Sequence, residues 1–150
     1  MKIKTPIVLS ALSLLLISSI SMAGPNNIRK VIKPTEYGYA QANVVVENSP
    51  MVYVAGQVGI TEKGPNDFKS QVDRSFENLK NVLKESGSSI KDVVKITLLI
   101  TNFDPNKLAY MVEKRNEVFG GQPPASTLVP VTRLYTDGVE FEVDAIAVKR

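Results

Sequence analysis

The sequence predicts an α+β domain, a mixed sheet with two helices packed on one face. Two segments repeat apolar residues at helical spacing, and several others alternate or run β-branched. The two kinds follow one another as strands, helix, strand, helix, strands, and each helix has one apolar stripe that needs a sheet to cover. With both helices on one side, the other face lacks a cover within the chain. A half-apolar face of that size predicts self-association.

Residues 1–23 stand apart from this domain. Lys2 and Lys4 make a short basic start, residues 6–20 are apolar but softened by serines, and Ser21, Met22 and Ala23 form a small-x-small cleavage pattern. The run falls short of the roughly 20 uninterrupted apolar residues of a spanning helix. It reads as a signal peptide, so the domain is expected over 24–150 in a periplasmic or secreted protein, with no membrane attachment once the signal is removed.

Within the domain, residues 28–32 read as a strand ended by Lys33 and Pro34. Runs over 39–47 and 51–60 are extended and joined by Asn48, Ser49 and Pro50, a hairpin signal. Gly56 and Gly59 mark a bulge or a close backbone approach in the second run. Asp67 is the expected cap of a first helix whose stripe is Phe68, Val72, Phe76, Leu79, Val82 and Leu83, with Gly87 at its end. Arg74 and Asn78 fall on its polar side or edge.

The segment 90–99 is β-branched, with Val94, Ile96, Leu98 and Ile100 alternating against Val93, Lys95, Thr97 and Leu99, and reads as a strand covered on both faces. Asp104 followed by Pro105 starts a second helix. Its one face carries Leu108, Met111, Val112, Arg115 and Phe119, and Gly120 with Gly121 stops it. Two extended runs, 126–133 and 139–149, then flank a turn at Thr136, Asp137 and Gly138. In the second, Glu140, Glu142 and Asp144 share one face, opposite Val139, Phe141, Val143, Ala145 and Ala147.

At 150 residues, 43% hydrophobic and 22% charged, the chain holds one ordinary domain. It contains neither Cys nor His. That rules out disulfides, thiol nucleophiles and Ser-His-Asp systems, and makes a zinc site of usual ligands unexpected. Any chemistry rests on carboxylates, Tyr, Lys, Arg, hydroxyls, backbone groups and water. Without the signal the basic count falls from 18 to 16 against 15 acids, and no Lys/Arg cluster marks a nucleic-acid partner.

Tyr39-Ala40-Gln41, Ala55-Gly56-Gln57-Val58, Glu77-Asn78-Leu79, Pro124-Ala125 and Glu142-Val143-Asp144-Ala145-Ile146-Ala147 stand in the order and spacing of the YjgF/RidA family, the reactive-intermediate deaminases, which this chain resembles over about 28 to 150. The resemblance implies a chorismate-mutase-like protomer, a homotrimer with sheets packed inward, and ligand clefts between subunits. It implies hydrolysis of imines and enamines to a 2-oxo acid and ammonia, with no cofactor and no metal. In that family an arginine clamps the substrate carboxylate, and a glutamate with a main-chain carbonyl holds the attacking water.

Carried onto this chain, the resemblance makes Tyr39 the pocket tyrosine, Asp144 the water-holding acid, Leu128 the source of the main-chain carbonyl, and Ala55 with Gly56 the place of the pocket Ser-Gly pair. Ser126 occupies the position of the clamping arginine, and Arg133 or a lysine are the cations the sequence offers instead. A neutral hydroxyl does not replace a guanidinium fork. Asp144 is one methylene, about 1.5 Å, shorter than a glutamate. Read from residues alone, Glu142 and Asp144 are equally solvent-facing acids and Tyr39 a packing aromatic. Two functions stay open: hydrolysis of an imine or enamine with an altered substrate range, or a non-catalytic trimer that binds a small metabolite.

Overall fold

The computed structural model describes residues 28–46 and 48–150. The expected signal segment, 1–23, lies outside them. Among the described residues six strands form one sheet: β1 (Arg29–Pro34), β2 (Ala40–Val45), β3 (Met51–Val58), β4 (Val93–Thr101), β5 (Ala125–Val131) and β6 (Phe141–Val148). Two helices, α1 (Phe68–Glu85) and α2 (Pro105–Phe119), connect β3 to β4 and β4 to β5. The strand order is β1-β2-β5-β4-β6-β3, with β5 parallel to both β2 and β4 and the other pairs antiparallel.

Both helices start where their caps place them. The Asp67 carboxylate accepts from the Ser70 N–H, and Asp104 accepts from the N–H groups of Asn106 and Lys107. Val72, Phe76, Leu79 and Leu83 of α1 bury against Ile96, Leu98 and Ile100 of β4 and Phe141, Val143, Ala145 and Ala147 of β6. Both helices therefore lie on one face, and burial of this stripe is the main stabilising term of the fold. Arg74 and Asn78 are not idle at the edge of α1: they donate to the carbonyls of Gly59 and Val58 and fasten the helix to the end of β3.

Two expected hairpins are absent. The runs now seen as β5 and β6 do not pair; β4 lies between them, and the nine residues from Thr132 to Glu140 carry the chain past it. A connection that long releases its strands from adjacency, which a turn signal in its middle conceals. Likewise β2 pairs with β1 and β5, while β3 sits at the far edge beside β6. The hairpin that forms is β1-β2, closed by a turn over 35–39. The first residues of the expected 90–99 strand form a single 3₁₀ turn, Ile90–Asp92, before β4 begins.

The face opposite the helices stays open. It carries Met51, Tyr53 and Val129 as exposed apolar side chains among Lys95, Thr97, Thr127, Glu142 and Asp144. Tyr53 is 76% exposed. The half-apolar sheet face anticipated from the sequence is thus a feature of the protomer.

Candidate functional site

A cavity of about 690 Å³ opens on the helix side of the sheet, at the corner where β2, β5 and α2 meet. Pro105, Leu108, Ala109, Val112 and Arg115 line it from α2, Ser126 and Leu128 from β5, and Tyr37 and Tyr39 from the turn before β2. Alternation along β5 explains the second wall: Ser126 and Leu128 pair with Ile96 and Leu98 and so share their face. The helical stripe predicted from sequence divides, with Met111 and Phe119 buried in the core and Leu108 and Val112 turned to the cavity.

Gly38 brings the third wall into place. Its φ of +74° is one that side chains rarely adopt, and an added Cβ there would stand 2.8 Å from Cβ of Arg115. The turn can lie flat on α2 only because this position is glycine. Asn116 fixes it further by donating to the Glu36 carbonyl at 3.1 Å, and the N–H of Ala40 donates to the Pro124 carbonyl at 2.8 Å.

Arg115 is the charged group of this cavity, and its residue is only 4% exposed. Its guanidinium lies over the Tyr39 ring, 5.5 Å from the centroid. Nη1 donates to Ser126 Oγ at 3.4 Å, a long contact, and Nε is buried with no hydrogen-bond partner. Burial pushes the guanidinium below its ordinary pKa, with Tyr39 acting against that shift; an arginine remains charged all the same.

From the sequence, Arg115 falls in the apolar stripe of α2, and Arg133 or a lysine is the expected cation. Arg133 is exposed and paired with Asp137. The signal that marks Arg115 is its register: it falls four residues after Met111 and four before Phe119, among buried positions, where an unpaired charge is costly.

Tyr39, Ser126 and Leu128, taken from the resemblance, therefore meet in one cavity. Asp144 and Gly56 do not join them within the protomer. Asp144 pairs with Thr97 on the open face, where its Oδ1 accepts from the Thr97 N–H at 3.2 Å. Ala55 and Gly56 lie in the register shift of the edge strand β3, and Gly56 leaves room for the Glu142 side chain, which an added Cβ would strike. The third acid of the row, Glu140, is held by Lys107 at 3.0 Å. Among the described residues no three His, Cys, Asp or Glu side chains converge as a metal site.

Residues 32–149 match the family described as Endoribonuclease L-PSP. A RutC family protein of Pyrococcus abyssi is 41% identical over 115 residues, spanning 74% of this chain and 86% of that protein. TdcF of Escherichia coli K12, provisionally named a reactive intermediate deaminase, is 34% identical over 110 residues, spanning 69% of this chain and 83% of its own. Among solved structures, YyfB of Yersinia pestis, described as a protein of unknown function in the conserved Rid family, matches with a TM-score of 0.74 at 26% identity, over 81% of this chain and 98% of that one. With both helices on one face of a shared mixed sheet and a family match across nearly the whole described domain, the chain belongs to the YjgF/RutC family.

Proposed function

We propose that this protein hydrolyses a small imine or enamine in a cleft between subunits of a homotrimer, in an extracytoplasmic compartment, with a substrate range altered by Ser126. The observation that carries the reading is the division of the family-type residues between the two faces of one sheet. Tyr39, Ser126 and Leu128 line the cavity, while Asp144 belongs to the open face. They form one site when the open face of a second copy comes against the cavity of the first. The exposed Tyr53, Met51 and Val129 on that face favour such an assembly.

The chemistry needs only water and a carboxylate. Water oxygen bonds to the imine carbon as Asp144 takes one of its protons, the C=N π electrons move to nitrogen, and Asp144 passes that proton on to the nitrogen. Asp144 then takes the hydroxyl proton of the carbinolamine and delivers it to the amine nitrogen as the C–N bond breaks, leaving a C=O group and ammonia. The N–H of Thr97 orients the Asp144 carboxylate for this work. An enamine enters the same sequence after protonation at carbon.

The test is hydrolysis of freshly generated imines by the purified protein, with Asp144→Asn beside it and sedimentation to read the oligomer. Turnover that collapses in the variant, on a trimer, supports the reading. Saturable binding of a small ligand with no turnover of any imine selects the non-catalytic binding protein instead, and a monomer rules out the shared cleft.

A further inference from the structure

We propose that Arg115 makes this cavity a carboxylate-binding site, with the anion held from helix α2 and an apolar or aromatic body lying against Leu108, Val112 and Leu128. The inference concerns the cavity of the proposed reaction but does not require turnover.

The two buried arginines of the described residues, Arg29 and Arg115, stand in opposite surroundings. Arg29, 5% exposed, is saturated: its guanidinium donates to the carbonyls of Lys91 at 2.8 Å and Gln122 at 2.6 Å, to Asn43 Oδ1 at 2.5 Å and to the Pro123 carbonyl at 3.4 Å. Arg115 is as deeply buried, yet it has one long contact to a neutral hydroxyl, an Nε with no partner and no acidic partner among the described residues. A guanidinium offers five donors in a fixed fork, and leaving them unmade in a low-dielectric pocket is strongly unfavourable. The structure keeps this group at the wall of an open cavity. An anion entering there would offset the uncompensated charge, which also relieves the buried Nε, and would accept from the Nη end of the fork beside Ser126.

Shape selects the class of anion. The fork matches two oxygens of a carboxylate. The Tyr39 ring covers one side of the guanidinium, which leaves the planar edge for a planar partner. The remaining wall is largely aliphatic and aromatic, from Leu108, Val112, Leu128 and Tyr37. A small monocarboxylate with a hydrophobic body fits this wall better than a hydrated phosphate, whose other oxygens would lie against carbon. The position emptied by Ser126 is thus served by a guanidinium from a different element, with the ligand's anion shifted toward α2.

Titration calorimetry with phenylacetate, phenylacetamide and inorganic phosphate on the full protein tests this without any C=N chemistry. Phenylacetate should bind at least ten-fold tighter than its neutral amide and than phosphate. Arg115→Leu should abolish that preference while leaving weak amide binding, and Arg115→Lys should keep part of it. Equal affinities for acid and amide in the wild type overturn the proposal, and that comparison stands even where Arg115→Leu does not fold. Phosphate binding ahead of phenylacetate, phenylacetate binding that survives the loss of Arg115, or no binding of phenylacetate overturns it as well. Imine turnover without this preference would leave the hydrolytic reading intact and sink only the role of Arg115.

Discussion

Arg115 Nη1 and Ser126 Oγ lie 3.4 Å apart, so the guanidinium from α2 and the side chain at the family's arginine position share one end of the cavity. A second cation cannot be added there freely. Ser126→Arg alone should destabilise the fold, by on the order of 1–4 kcal/mol from like charges at contact range. The double variant Ser126→Arg with Arg115→Leu should recover much of that loss. Denaturant melts of the two singles and the double give the coupling as a cycle.

Among the described residues Asp144 has one backbone donor and no paired base. If, as proposed, Asp144 takes the proton from water, its replacement by Asn should lower kcat by about 10²- to 10⁴-fold with a small change in KM. Steady-state hydrolysis of any imine the wild type accepts reads this. A fall in affinity with kcat intact would assign Asp144 to binding.

Gly38 should resist substitution. Its φ of +74° and the 2.8 Å approach to Arg115 mean that Gly38→Ala meets backbone strain and a clash together, at a cost of about 1–3 kcal/mol. Relief comes from lifting the 35–39 turn off α2. The same variant should therefore show a lower melting midpoint and weaker phenylacetate binding, since Tyr37 and Tyr39 ride on that turn.

Tyr110 donates to the Asp73 carboxylate at 2.8 Å, and Lys114 pairs with it at 2.8 Å. Burial first, then the bond to Asp73 and its charge, push Tyr110 up to about 12. A folded pKa raised above the unfolded value of about 10 contributes stability that is complete below that pH and lost as pH climbs through about 12. For Asp73, burial acts to raise the pKa but is outweighed by the hydrogen bonds from Lys114 and Tyr110, so the group is lowered. Its contribution is present above about pH 4 and lost on further acidification. Tyr110→Phe should flatten the alkaline decline, which urea melts at about pH 9 and about pH 11 resolve.

The helices were legible because their information is local: Asp67 and Asp104 cap them, Pro105 opens the second, and the stripe from Phe68 to Leu83 repeats at the helical period. β4 was legible from its own composition. Strand pairing was not, because neighbours in a sheet are chosen by distant segments: β5 and β6 are consecutive in sequence and both prefer β4. Tyr39, Ser126 and Leu128 came from the resemblance and do meet. Arg115 escaped notice because a single cation on an apolar helical face looks like a stripe edge until the opposing β5 wall shows what it faces.

The four acceptors around Arg29 have a consequence for the chain's own N-terminus. They tie the first strand to the segment that leads into β5, at Gln122 and Pro123, and the same β1-β2 hairpin carries Tyr37 and Tyr39. A proteolytic trim that stops short of Arg29 leaves the cavity framed. One that removes it takes away all four of these bonds and leaves the core of α1, β4 and β6 its own contacts, so the anchors at Asn116 and Pro124 are then what holds the two tyrosines.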